Sequence, residues 1–348
     1  MDFPKYDGNI HPDEWINDIK EYFRLQNIPG YCYYLKDAMS FIDSTIISLP
    51  AEINSFEELS IVLKEDISFT VFKCTNKGLL RSLKYIPERE GGNTSKFISN
   101  FRKLCYNAEI NDLEEQKNYL CNSLLNNECY NYHLEEFFKR KKRIETMNDL
   151  VKEFTEIVTE ELSLIRKGSI VALKHIATGK YLSSIEGLYY TTGSAQQLVF
   201  ADSPELNLNA LWKIDFSKEL AIYDKTSINL QHIKSGCFLG AYNYNYLGVY
   251  TYFKSPITEH TEVSCIGVNG TKWMITHSKL ENHKGYLRSN DIINLRITKY
   301  NSGYSQEVFL RSHDIQFTIG NDTFQEVVCH DERLGGNDEW CIELIKQG

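Results

Sequence analysis

Trp212-Lys213-Ile214, Trp273-Met274-Ile275 and Trp340-Cys341-Ile342 are one phrase written three times, and they hold every tryptophan of the C-terminal half. A compact apolar run precedes each: Leu198-Val199-Phe200, Val263-Ser264-Cys265 and Val327-Val328-Cys329. Two units also open alike, Ile170-Val171-Ala172-Leu173-Lys174-His175 and Ile228-Asn229-Leu230-Gln231-His232. They continue into Thr178-Gly179-Lys180-Tyr181-Leu182 and Ser235-Gly236-Cys237-Phe238-Leu239. The third opens more loosely, with Ile293-Asn294-Leu295-Arg296-Ile297. Short alternating strands with Gly, Asn and Ser turns, repeated three times at a period of roughly sixty residues, predict a pseudo-threefold all-β unit. An indole on the inner face of each closing strand buries a large apolar area, so the three Trp residues are expected in the core.

Working back toward the N-terminus, the texture changes to helical spacing. Pro12, Asp13 and Glu14 suit a first helical turn, and Trp15, Ile16, Ile19, Tyr22 and Phe23 follow at the period of an amphipathic helix that Pro29-Gly30 stops. A second helix is expected over Tyr31 to Ser48. A third opens at Ser55-Phe56-Glu57-Glu58, a capping box. Phe97, Phe101, Leu104, Cys105 and Ala108 form the next stripe. Asn111-Asp112-Leu113-Glu114 and Thr146-Met147-Asn148-Asp149 read as later helix starts. The expected organisation is α+β as separate domains: an all-α domain over 1–165 and an all-β trefoil over 166–348. A break near Gly78 to Gly92 offers a division of the helical part into lobes of about 1–77 and 78–165.

Charge narrows the partners. Residues 1–165 carry 20 Lys and Arg against 28 Asp and Glu, a net of −8, within a chain total of −9. Neither half has the positive excess that phosphate backbones demand, so no strong nucleic-acid binding is expected. The run Lys139-Arg140-Lys141-Lys142-Arg143 reads first as a cationic helix C-terminus flanked by Glu135, Glu136 and Glu145. No apolar stretch in Met1–Gly8 or later suits a leader or a membrane span, so no membrane insertion and a cytoplasmic or nuclear setting are expected. Nine cysteines without even spacing read as reduced core thiols, and the sequons at Asn93, Asn269 and Asn321 as chance matches.

The helical half resembles the capsid region of gypsy-type retrotransposon gag proteins. Phe3, Tyr6 and Gly8 match its lead-in, Trp15–Phe23 its first helix, Ser55–Leu59 a later helix start, and Leu83-Lys84 with Asn93–Arg102 a further segment. The resemblance implies self-association. The chain departs from that pattern in lacking a Cys-x₂-Cys-x₄-His-x₄-Cys zinc knuckle, which points to a captured capsid-like domain. The β half is similar to MIR domains, the trefoils of protein O-mannosyltransferases and of the inositol trisphosphate and ryanodine receptors. Gly168–His175, Thr178–Leu182, Gly193–Gln197 and the Trp-x-Ile endings carry that likeness. Members bind glycans, an inositol phosphate or proteins, so the fold leaves the ligand open.

Candidate ligand-binding residues are Lys174, His175, Thr178, Lys180 and His232, which could present donors to an anion or a sugar; the histidines serve equally as turn-bracing residues. Two lysines without an arginine disfavour an inositol phosphate. Tyr189, Tyr190, Tyr242, Tyr244 and Tyr246 offer aromatic surface for a glycan or a protein. No Walker loop, HExxH, Asp-Thr-Gly or Gly-x-Ser-x-Gly motif occurs. His330-Asp331-Glu332 and Glu281-Asn282-His283 read as polar loop content. The expectation is therefore a binding protein with no catalytic residues, metal or cofactor. Its helical domain self-associates and displays a trefoil to a glycan or protein. The alternatives are a monomeric adaptor and an accessory domain of a glycan-processing system.

Overall fold

The computed structural model describes residues 5–26, 31–50, 52–124, 132–246, 249–255, 257–267, 271–278, 285–301, 304–332 and 334–348. Phe3, Pro29-Gly30, Asn269, Glu281-Asn282-His283 and the side chain of Tyr246 lie outside the described residues. Two compact units are present, Met1–Glu161 and Leu162–Gly348. Helices fill the first and a large antiparallel sheet the second, an α+β arrangement.

In the helical unit, α1 (Pro12–Leu25) starts on a cap the sequence pattern leaves unnoticed. His11 Nδ1 accepts from the Asp13 N–H at 3.2 Å, and Pro12 supplies the fixed φ of a first turn. α2 (Tyr31–Ser40) ends well before Ser48, because Phe41 to Asp43 leave the helix to pair with Tyr6. The Tyr6 N–H donates to Phe41 O and the Asp43 N–H to Tyr6 O. α3 (Phe56–Glu65) carries the expected cap, with Ser55 Oγ accepting from Glu58 N–H and Glu58 Oε2 from Asn54 N–H.

α4 (Ile67–Ser82) runs straight through Gly78, so the expected lobe division at 77/78 does not occur. One glycine costs a helix about 1 kcal/mol, and burial of Phe69, Asn76 and Leu80 on either side of it outweighs that. α4 packs against α3 as well as against α5 (Thr94–Asn107) and α6 (Leu113–Leu124), and so joins both parts of the unit. The true breaker follows it. Gly91 takes φ +86°, and a Cβ on Gly92 would stand 1.8 Å from Ile86 O. α7 (Tyr132–Arg140) and α8 (Met147–Glu161) complete the unit. The basic run begins in the last turn of α7, and three of its five cations pair with neighbouring carboxylates: Lys139 with Glu136, Arg140 with Glu160 and Lys141 with Glu114.

The β unit begins earlier than the expected 165/166 boundary, since Ile165 is buried in its core and donates its N–H to Leu287 O. The first repeat contributes β1 (Ile170–His175), β2 (Leu182–Tyr189), β3 (Gln197–Ala201) and β4 (Trp212–Asp215). The second has β5 (Ser227–His232), β6 (Phe238–Gly240), β7 (Asn243–Tyr246), β8 (Val249–Tyr252), β9 (Thr261–Glu262), β10 (Ser264–Ile266) and β11 (Trp273–His277). The third has β12 (Asp291–Asn301), β13 (Tyr304–Ile319), β14 (Asp322–His330) and β15 (Trp340–Lys346).

Six of these strands close a ring of antiparallel pairs: β1 with β4, β4 with β5, β5 with β11, β11 with β12, β12 with β15 and β15 with β1. Closure removes exposed edges. The hairpins β2–β3, β6–β10 and β13–β14 cap the ring, joined where β3 meets β10 and β14. This is a β-trefoil. Its three tryptophans are wholly buried and anchored alike: Nε1 of Trp212, Trp273 and Trp340 donates to the carbonyls of Leu182, Leu239 and Leu310 at 2.9, 3.0 and 3.1 Å. A buried indole N–H left without a partner would be costly, so this bond fixes where each hairpin leaves the barrel.

Candidate functional site

The first two repeats share a turn, and it absorbs three of the five sequence-predicted site residues. His175 and His232 are wholly buried. Their Nδ1 atoms meet Thr178 Oγ1 and Ser235 Oγ, each at 2.9 Å, and their Nε2 atoms meet the carbonyls of Asn337 and Asn209. Both rings lie against an indole, Trp340 and Trp212 respectively. Burial is the main reason both imidazoles sit below their ordinary pKa. Gly179 and Gly236, each at φ +70°, close the two turns. His175, Thr178 and His232 thus spend their polar atoms within the fold.

The two lysines go elsewhere. Lys174 lies 5.4 Å over the Tyr181 ring. Lys180 lines a cleft of about 590 Å³ with Phe200, Phe324, Asp202 and Asp322. The five residues do not converge on one ligand position.

A different cleft forms where the trefoil departs from threefold symmetry. From Leu173 to Leu182 and from Leu230 to Leu239 is nine residues, but from Leu295 to Leu310 is fifteen. The extra length extends the β12–β13 hairpin, in which Lys299 pairs with Gln306 and Tyr300 with Ser305. The second repeat carries its own insertion, the β7–β8 hairpin, pairing Asn243 with Tyr252 and Asn245 with Tyr250. Alternation along β8 puts Tyr250 and Tyr252 on one face. β8 packs on β12, and the Tyr300 N–H reaches Tyr252 Oη at 3.5 Å. Between them lies a cleft of about 530 Å³, walled by Tyr250, Tyr252, Lys254, Glu259, His260, Lys299, Gln306 and Asp331.

Sequence reasoning missed these residues, because three segments far apart in the chain supply them. Asp331, polar loop content by its sequence, follows β14 and turns its carboxylate to Gln306 Nε2. His330 is the last residue of β14, buried, with Nε2 2.6 Å from Asp338. The signal within reach was the longer Leu-to-Leu spacing of the third repeat.

The walls are braced from below by two buried carboxylates. Glu326 accepts from Ser255 Oγ, from Thr258 Oγ1 at 2.9 Å and from His313 Nε2 at 2.8 Å, pinning Ser255 and Thr258 ahead of His260. These bonds pull its pKa below the ordinary range although burial opposes them. Glu262 accepts from the Ser194 hydroxyl and N–H; burial outweighs these two bonds and raises its pKa. The Ser–Glu brace thus occurs twice around the cap. Among the described residues no cluster of His, Cys, Asp or Glu could hold a metal ion, and no helix is long and apolar enough to cross a membrane.

No known protein family's sequence profile matches the chain. It is 27% identical over 211 residues to dolichyl-phosphate-mannose–protein mannosyltransferase 5 of Saccharomyces cerevisiae. The match takes in 55% of this chain and only 26% of the yeast protein, so the chain spans about a quarter of that relative. It supports a MIR-like trefoil in the C-terminal half. Among solved structures, the SDF2-like protein from Arabidopsis thaliana is similar at 24% identity and a TM-score of 0.41, covering 51% of this chain and 94% of that one. The S. cerevisiae Pmt1–Pmt2 O-mannosyltransferase complex bound to its sugar donor is similar at 18% identity and a TM-score of 0.41, covering 84% of this chain and 41% of that one.

Proposed function

We propose that this protein is a non-enzymatic recognition protein whose trefoil binds a saccharide in the cleft between the β7–β8 and β12–β13 hairpins. The carrying observation is the cleft itself. Tyr250, which lines the cleft and is 37% exposed, offers a face to the C–H side of a sugar ring, and Tyr300, 56% exposed with its ring centroid 6.4 Å from that of Tyr250, stands beside it at the rim. Gln306, Asp331, Thr251 and Thr261 supply donors and acceptors for hydroxyls. Aromatic faces beside a few placed polar groups are the usual make-up of a small-ligand site. Similarity to a protein named for mannose transfer supports a saccharide as ligand without bringing the transfer reaction along. Glycan-array binding by the full chain tests the reading. Binding lost in Tyr250→Ala and Tyr300→Ala is the expected result, and a wild-type chain that binds no glycan on the array overturns it.

The gag-like helical unit is proposed to self-associate and so multiply weak trefoil sites by avidity. What favours this is the outward face of α4: Ile67, Thr70, Val71, Cys74, Thr75, Gly78 and Leu79 are exposed without a charge among them. Light scattering should show a concentration-dependent dimer that Val71→Glu dissolves. A monomer at high micromolar concentration would instead favour a monomeric adaptor.

A further inference from the structure

Lys299 is a cation of the cleft that touches no carboxylate among the described residues. It stands near the outer end of the extended β12, half-buried, with Nζ 2.8 Å from Thr261 Oγ1 and 5.1 Å over the Tyr252 ring. Among the described residues no carboxylate comes within ion-pair distance of it. The other charged groups of the cleft are already engaged: Lys254 faces Glu259 at 3.8 Å, and Asp331 accepts from Gln306. His260 is half-exposed, and its ring is tilted against His313 and edge-on to His330 at centroid distances of 6.4 and 6.0 Å. Desolvation holds the Lys299 ammonium below the ordinary lysine pKa, outweighing the attraction of the more distant Asp331 carboxylate.

A half-buried ammonium gains most from a ligand that brings the missing charge, since charge-assisted hydrogen bonds are about twice as strong as neutral ones. The lining's charges balance, Lys254 and Lys299 against Glu259 and Asp331, so the cleft tolerates one added negative charge only where an ammonium has no carboxylate in contact, at Lys299. A dianionic phosphate would meet Glu259 and Asp331 with repulsion that a single lysine leaves uncancelled. Resting on the saccharide reading above, we propose that the ligand is an acidic sugar. Its single carboxylate pairs with Lys299, His260 is a second donor beside it, and its ring packs on Tyr250 and Tyr300.

The test compares two probes on the full chain by calorimetry: an oligosaccharide ending in glucuronate, and the same oligosaccharide with that carboxyl reduced to the alcohol. The wild-type chain should bind the acidic probe at least tenfold more tightly. Lys299→Gln should abolish the preference, and Lys299→Arg should keep most of it. Because the probe comparison uses the wild-type chain, it holds even if a variant fails to fold. Equal affinity for the two probes overturns the acidic-sugar assignment and leaves the saccharide reading standing. Absence of binding to either probe, or to any other glycan, overturns both. A preference that survives Lys299→Gln in folded protein overturns the role given to Lys299.

Discussion

The first two repeats of the trefoil and the third solve the same packing problem differently. In repeats one and two, a buried histidine and a Thr-Gly or Ser-Gly turn lock a short hairpin beneath the indole of the neighbouring repeat's closing strand. In repeat three Ile297 takes the histidine's place, 3% exposed, and the hairpin runs six residues longer. Without an imidazole to brace a tight turn, β12 continues outward and carries Lys299 and Tyr300 beyond the barrel. The barrel needs three alike strands to close, but it needs no particular hairpin length. Symmetry is therefore kept where the core is made and given up where the cleft is made.

The largest effects should fall on what all three repeats share. Trp212→Ala, Trp273→Ala and Trp340→Ala should each destabilise the β unit by about 3–5 kcal/mol, from the lost indole and the cavity it leaves. Each also strands a leucine carbonyl. Urea unfolding of the full chain, read by near-ultraviolet circular dichroism, measures this. If Trp273→Ala were tolerated while the other two were not, the second repeat would not be equivalent in its core.

The next tests act on the difference between the repeats. His175→Ala and His232→Ala should cost about 1–3 kcal/mol by leaving Asn337 O or Asn209 O and a hydroxyl unpaired. Ile297→His should cost about as much in the opposite sense, since it buries an imidazole in a hairpin that offers no Thr-Gly or Ser-Gly turn. Acid supplies an independent measure. Both histidines have folded pKa values below the ordinary 6.5, so between those values the unfolded chain binds more protons. Their contribution is complete above pH 6.5 and is lost as pH falls through the folded values. A histidine-to-alanine variant should lose less stability over that range than the wild type does.

What the sequence disclosed followed from how locally each feature is encoded. The Trp-x-Ile strands, the His-to-Gly turns and the caps at Ser55, Asp112 and Thr146 are each written within a few residues, and each stands in the structure. Gly78 misled because a glycine reads as a break until the buried Phe69 and Leu80 on the same helix are known. The early end of α2 depends on Tyr6, far away in the chain. The cleft was the least legible feature. Its tyrosines, lysines and acids come from β8, the 254–260 turn, β12, β13 and the end of β14, and only the barrel's closure brings them together. Candidate residues chosen from a repeated motif were, for the same reason, drawn toward the scaffold.

Glycine substitutions come next in size. Gly179→Ala meets no atom within 4 Å, so its cost is the backbone strain of φ +70°, about 1 kcal/mol. Gly236→Ala should match it, because its added Cβ comes no nearer than 3.8 Å to the end of the Gln231 side chain. Unequal costs would show that the two turns, alike in hydrogen bonding, differ in what holds them.

The smallest effect on stability should come from the residue the proposed function uses most. Tyr300 is 56% exposed near the tip of the β12–β13 hairpin, and its ring packs against Tyr250 at 6.4 Å rather than against the barrel. Tyr300→Ala should therefore change folding stability by less than about 0.5 kcal/mol, as exposed substitutions usually do. The same substitution removes the aromatic ring beside Tyr250 at the rim of the cleft, so saccharide affinity should fall severalfold while the urea midpoint stays put. Trp340→Ala should show the reverse at a temperature where the fold survives, with a large shift in midpoint and binding that tracks only the folded fraction. If Tyr300→Ala instead lowered stability as much as the His175 variant, the long hairpin would be part of the core, and the division between a symmetric scaffold and an asymmetric site would fail.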